Sequence, residues 1–154
     1  MTTVAAITKR EVELISRFVA LLKNEQEALK QGDASALPET GAAKAELVIQ
    51  LNALEDERRS ALGGSGDDNT RAAMTRWLAE HPAEHVVAAR WTELLALASE
   101  AKELHQINAS LVDMHLQQTK EALSILTRQP PQHLLYGSDG QAAPSSGSSI
   151  VDSA

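Results

Sequence analysis

Residues 83–129 read AEHVVAARWTELLALASEAKELHQINASLVDMHLQQTKEALSILTRQ, 47 positions without a glycine or a proline. Those two residues are the strongest local breakers of regular structure, so the span predicts one helix about 70 Å long at ~1.5 Å per residue. A seam runs along it in alternating steps of four and three: Val87, Trp91, Leu94, Ala98, Ala101, His105, Asn108, Val112, His115, Thr119, Ala122 and Leu126. That spacing is coiled-coil-like. A second stripe, Leu97, Leu104, Leu111 and Ile125 with Ile107 and Met114 beside it, lies next to the first. One helix with two apolar stripes has more than one partner surface to cover.

The same punctuation divides the rest of the chain. No glycine or proline occurs before Gly32, and apolar residues repeat at helical spacing over 4–31: Ile15, Phe18, Leu22 and Leu29, with Ile7, Leu14 and Leu21 alongside. The linker GDASALPE follows, and Pro38 suits the first turn of the next helix. That helix, over 39–62, carries a seam of Ala43, Leu47, Leu51, Leu54, Arg58 and Ala61, with one charge on it. GGSGDDN (63–69) is a loop whose Asp68 or Asn69 can cap a short helix over 70–80. His81-Pro82 ends that helix, because a residue before proline is pushed out of the helical region. The expected fold is an all-α, antiparallel helical bundle with two long helices, one short and one very long. It is expected to occupy 1–129, followed by a flexible tail at 130–154 that lacks Lys and Arg and holds one apolar cluster, Leu134-Leu135-Tyr136.

Composition narrows the function. Charged residues are 23% and hydrophobic ones 43% of the 154, which is enough for a core. The net charge is −7 and the only aromatics are Phe18, Trp77, Trp91 and Tyr136, so the basic face and stacking rings of a nucleic-acid binder are missing. There is no cysteine, which removes disulfides, thiolate metal sites and a cysteine nucleophile. No 18-residue apolar run exists to insert in a membrane, and Lys9, Arg10, Glu11 and Glu13 interrupt what a signal peptide would need as its apolar stretch. The expectation is a soluble cytoplasmic protein.

Chemistry is hard to find. A bundle-borne metal site of the carboxylate-bridged kind needs Glu three residues before an inward His. The residues three before His81, His85, His105, His115 and His133 are Leu78, Pro82, Lys102, Val112 and Pro130. GGSGDDN lacks the Lys-Ser/Thr of a phosphate loop and follows no strand, so it is no nucleophile elbow either. No metal, no cofactor and no enzymatic activity are expected.

The unusual residues are polar ones on the long seam. His105, Asn108, His115 and Thr119 stand where leucine would hold a core better. They either fix register at some cost in stability, or line a half-exposed face, or keep an empty groove soluble until an apolar helix binds there. Trp91, on the seam, is expected in the core and Trp77 at one end of the bundle.

Three stretches together resemble the FlgN family of flagellar export chaperones. The first is Leu21-Leu22 with Gln26-Glu27-Ala28-Leu29 and Gly32-Asp33, followed by Lys44, the Leu47/Leu51/Leu54 seam and Arg58. The second is Trp91, then Asn108-Ala109-Ser110-Leu111-Val112. The third is Glu121-Ala122-Leu123 with Leu126, then Leu135-Tyr136-Gly137-Ser138-Asp139-Gly140-Gln141 past the prolines. The last run is the most specific, and the resemblance spans about residues 10–142. Val112 departs from the leucine common at its position, and the sequence beyond Gln141 matches nothing in the pattern.

The resemblance implies a cytoplasmic chaperone for the hook-associated proteins of the hook–filament junction, binding their C-terminal amphipathic helices and delivering them to the flagellar type III export gate. On this chain the implied client-binding residues are Asn108, Leu111, Val112, His115, Thr119, Ala122 and Leu126. Leu134, Leu135 and Tyr136 are the implied docking element for the cytoplasmic domain of the gate. The reading from periodicity alone leaves a different class open: a self-associating structural or regulatory coiled coil using the same seam.

Overall fold

The computed structural model describes residues 3–63 and 69–128, and among them every regular element is a helix. These are α1 (Val4–Lys30), α2 (Leu37–Ala61), α3 (Thr70–Glu80) and α4 (His85–Thr127). Each lies where the spacing of glycine and proline places it. The expected tail, with Leu134, Leu135, Tyr136 and His133, lies outside the described residues. The chain falls into two compact units, Met1–His115 and Leu116–Ala154.

Local chemistry sets the ends. Thr3 caps α1 by accepting from the Ala6 N–H, and Gly32, at φ 71°, takes the left-handed turn beyond it that other residues resist. Pro38 stands in the first turn of α2, where its missing N–H costs nothing. Asn69 caps α3, its Oδ1 accepting from the backbone N–H groups of Arg71 (2.9 Å) and Ala72 (3.2 Å). His81 ends α3 just ahead of Pro82, and its ring stacks on Trp77 at 4.1 Å between centroids.

In the first unit, two ion pairs fix how α1 meets α2. Glu11 of α1 pairs with Arg58 of α2, and Glu25 with Lys44. Moving fourteen residues forward along α1 moves the partner fourteen back along α2, so the two helices run antiparallel in one register. Contacts with α4 behave oppositely. Arg90 reaches the Ala5 carbonyl, Asn108 the Leu22 carbonyl and His115 the Leu29 carbonyl, at sequence offsets of 85, 86 and 86. A constant offset means α1 and α4 run parallel. The long helices therefore go up, down and up, with α3 turning the chain between the second and the third.

The core gathers Val4, Ile15, Val19 and Leu22 of α1, Met74 of α3, and Val87, Trp91, Leu94, Ala101 and Leu104 of α4. Trp91 is buried as expected, and Trp77 is half-buried against the cluster. On α2 only Leu47 and Arg58 are buried, with Leu51 and Leu54 half-covered. This helix contributes mostly through its charges.

The seam on α4 needs one correction. Val87, Trp91, Leu94, Ala101 and Asn108 are buried as the four–three steps predict, but Ala98, His105 and Val112 are exposed. In their place Leu104 is buried and Leu97 and Leu111 are half-buried. These three leucines belong to the neighbouring stripe. An α-helix turns 3.6 residues per turn, so an ideal 3.5-residue seam drifts around it; Leu104 joins the core cluster and Leu97 packs against it.

Candidate functional site

Apart from Thr8, which bonds to the Val4 carbonyl of its own helix, the buried polar residues form two layers. In the first, Arg58 Nε donates to Glu11 Oε1 at 2.9 Å and Arg58 Nη2 to Oε2 at 3.1 Å, a bidentate pair with both side chains at most 5% exposed. The guanidinium also lies over the Trp91 ring, 4.8 Å from its centroid, which adds a cation–π attraction. Burial pushes the Glu11 carboxyl above the ordinary glutamate range; Arg58 pulls it back by hydrogen bond and charge, and nearby Glu55 adds a smaller upward push. In the second layer, Glu25 accepts from Lys44 Nζ at 2.8 Å and from Asn108 Nδ2 at 2.9 Å, while the same Asn108 amide donates to the Leu22 carbonyl at 2.9 Å. Three helices meet on one carboxylate.

This settles what two of the seam's polar residues touch within the chain. Asn108 is 3% exposed and spends its amide on α1. His115 is half-buried and hydrogen-bonds the Leu29 carbonyl near the C-terminal end of α1; a carbonyl only accepts, so Nε2 carries the hydrogen. Leu111 is half-buried between them. Asn108 thus joins α1 to α4 in the register described above, the register-fixing use foreseen for polar seam residues. Replacing Asn108 by Ala should lower stability by about 1–3 kcal/mol, since a bond to a charged group is lost and Glu25 keeps only Lys44. Urea unfolding measures this; a variant as stable as the parent but weak in client binding would mean that Asn108 acts on the client instead.

The remaining predicted positions are outward. Val112 is 40% exposed, and Thr119, Ala122 and Leu126 are exposed, Leu126 to 80%. Every described residue from Leu116 to Arg128 is exposed, including Leu116, Leu123 and Ile125. On a helix, Leu116, Leu123 and Leu126 share one face with Thr119. Among the described residues these large apolar side chains stand exposed together on one helix face. The charged layers of α1 and α2 were not anticipated: Arg58 showed as a lone charge on an apolar seam, and its opposite at Glu11 becomes visible only once the antiparallel register is known.

Among the described residues no group of three or more His, Asp and Glu is placed to hold a metal ion, and no helix is long and apolar enough to cross a membrane. The family model described as FlgN protein matches residues 1–144.

The chain belongs to the FlgN family.

No curated protein and no solved structure matches it. FlgN proteins are flagellar export chaperones, and that general role comes to this chain with membership of the family. The match covers the α1–α4 span and extends through the Leu134-Leu135-Tyr136 segment, so it takes in all three stretches on which the resemblance rests.

Proposed function

We propose that the chain is a cytoplasmic export chaperone that binds the C-terminal amphipathic helices of the hook-associated proteins at the hook–filament junction and hands them to the flagellar type III export gate. The observation that carries this reading is the exposed apolar face of α4 from Leu116 to Leu126. An amphipathic client helix lays its apolar stripe on such a face, with Val112, Ala122 and Leu126 giving contact area and Thr119 a polar position beside them. Asn108, Leu111 and His115 precede that face along α4, and Asn108 and His115 also hydrogen-bond α1; in this reading the two polar side chains set the register of the client helix. Burying a few leucine-sized side chains at ~25 cal/mol per Å² supports micromolar binding after ordering costs are met. No catalytic step and no cofactor is needed. Functionally the chain divides into a helical client-binding part, 1–129, and a C-terminal part, 130–154, that docks on the gate.

Gate docking is assigned to Leu134, Leu135 and Tyr136. Tyrosine brings a large contact area with few rotatable bonds and a hydroxyl able to hydrogen-bond. Tyr136→Ala should leave the melting temperature unchanged and client binding undiminished while weakening association with the purified cytoplasmic domain of the gate. Normal gate binding by that variant, or a melting point several degrees lower, removes the docking role. The same apolar face also fits a second copy of the chain. Size-exclusion with light scattering, with and without a client C-terminal peptide, separates the two: a self-associated species unchanged by peptide would replace the chaperone reading with a self-assembling one.

A further inference from the structure

Resting on the client reading of α4, we infer that residues 116–127 exchange between helix and open chain while the chaperone is empty, and become fully helical when a client helix covers them. Up to His115 the helix is held from outside. Val87, Trp91, Leu94, Ala101, Leu104 and Asn108 are buried, and Asn108 and His115 hydrogen-bond α1. From 116 to 128 every residue is exposed, and the first compact unit ends at His115. Most helical stability in proteins comes from burying one face, so what keeps 116–127 wound in the empty chaperone is local. That local support is thin. Even good helix formers add to an existing helix with a constant of only ~1–1.6 per residue in the cold. Thr119, Ser124, Ile125 and Thr127 rank below those, and Ala122 is the one residue of the best-forming type. A single Gln117–Glu121 hydrogen bond at 3.2 Å adds a little, and the last turn holds no basic residue to offset the helix dipole. Opening therefore starts at 127 and runs back toward the residues that α1 holds.

The consequence is that side chains which never touch a client set how tightly it binds. Each turn wound on binding subtracts from the contact energy, so affinity is lower than the apolar area alone would give and release is easier. Two exposed serines of α4 separate the regimes: Ser99 lies in the part packed into the first unit, and Ser124 in the part beyond it. On a helix Ser124 lies about 100° around from Leu123 and about 160° from Leu126, off the client face. Glycine in place of alanine makes winding one residue into a helix about four- to fivefold harder. At 124 that factor falls on the binding step, because the empty segment is largely open. At 99 it falls on folding.

Full-length Ser124→Ala and Ser124→Gly, with Ser99→Ala and Ser99→Gly beside them, are titrated calorimetrically with a synthetic peptide of a junction protein's C-terminal helix. The expected result is an inversion. At 124 the glycine variant binds the peptide about four- to fivefold more weakly than the alanine variant, and the two melt alike. At 99 the glycine variant melts roughly 2–4 °C lower, and the two bind alike. Equal affinities at 124 overturn the inference, since a helix already formed in the empty chain gains no order on binding. A drop in melting temperature at 124 to match that at 99 also overturns it, by placing the segment inside the cooperative fold. Amide hydrogen exchange of the empty parent gives a reading that needs no partner. Exchange at least tenfold faster over 116–127 than over 94–108 is expected, and equal protection overturns the inference. Fast exchange over 116–127 with no peptide binding by any variant supports the helix–open equilibrium while it removes the client assignment, so the two failures are distinguishable.

Discussion

Glu11→Ala lowers the stability of the folded chain by about 3–5 kcal/mol, because it strands the buried Arg58 guanidinium without its carboxylate. In a chain of this size that is a fall in melting temperature of roughly 10 °C. The partner cannot escape to solvent easily: Arg58 is 4% exposed and stacked over Trp91. Glu11→Gln is far milder, since an amide oxygen still accepts from Arg58. The direction of the Glu11 shift shows the opposing cost: burial disfavours the charged carboxylate by more than Arg58 returns. Its folded-state carboxyl lies above the ordinary glutamate range, chiefly because it is buried. A group raised in this way contributes stability that is fully present below its unfolded pKa and lost as pH rises through the folded value. Relative to Glu11→Gln, the parent should therefore become more stable as pH falls from neutral toward the ordinary glutamate range. Thermal melts of both proteins across that window check it, and a parent that loses ground to the glutamine variant on acidification contradicts it. Replacing both partners with apolar residues, Glu11→Met with Arg58→Leu, should be near neutral for stability, as buried pairs often are. What the pair then confers is register.

Leu126→Asp should lower client affinity at least tenfold and leave the fold intact. The side chain is 80% exposed, so a charge there meets water in the free chaperone, and an exposed substitution of this kind shifts stability by only about 0.5 kcal/mol. In the complex the carboxylate is pressed beneath an apolar helix, at a cost of several kcal/mol, whereas ~1.4 kcal/mol already gives a factor of ten. Calorimetric titration with a client C-terminal peptide reads the affinity, and circular dichroism confirms that helix content and melting are kept. Unchanged affinity would take Leu126 out of the client site. Leu126 is a sharper test than Leu111, which is half-buried against the bundle, so a charge there would disturb folding and binding together.

Much of this protein is written locally. Gly32, Gly63, Pro38, Asn69 and the His81-Pro82 pair place the ends of the helices, because capping, prolyl sterics and left-handed backbone depend on a residue and its near neighbours. Periodicity likewise showed which faces of α1 and α2 turn inward, and the family was legible in three short stretches that the match over 1–144 takes in. The exact buried face of α4 was less accessible. A four–three seam and its neighbouring leucine stripe differ by one position, and burial was decided by tertiary packing: Leu104 inside, His105 outside. The site divides the same way. Sequence marked Asn108 and His115 as out of place in a core, but only the parallel pairing of α1 with α4 puts the Leu22 and Leu29 carbonyls opposite them. The partnership of Glu11 with Arg58 spans 47 residues of chain. Helix formation is decided within a few residues, so sequence alone determined it; which charge meets which amide or carboxylate depends on helix direction and register, and those belong to the tertiary structure.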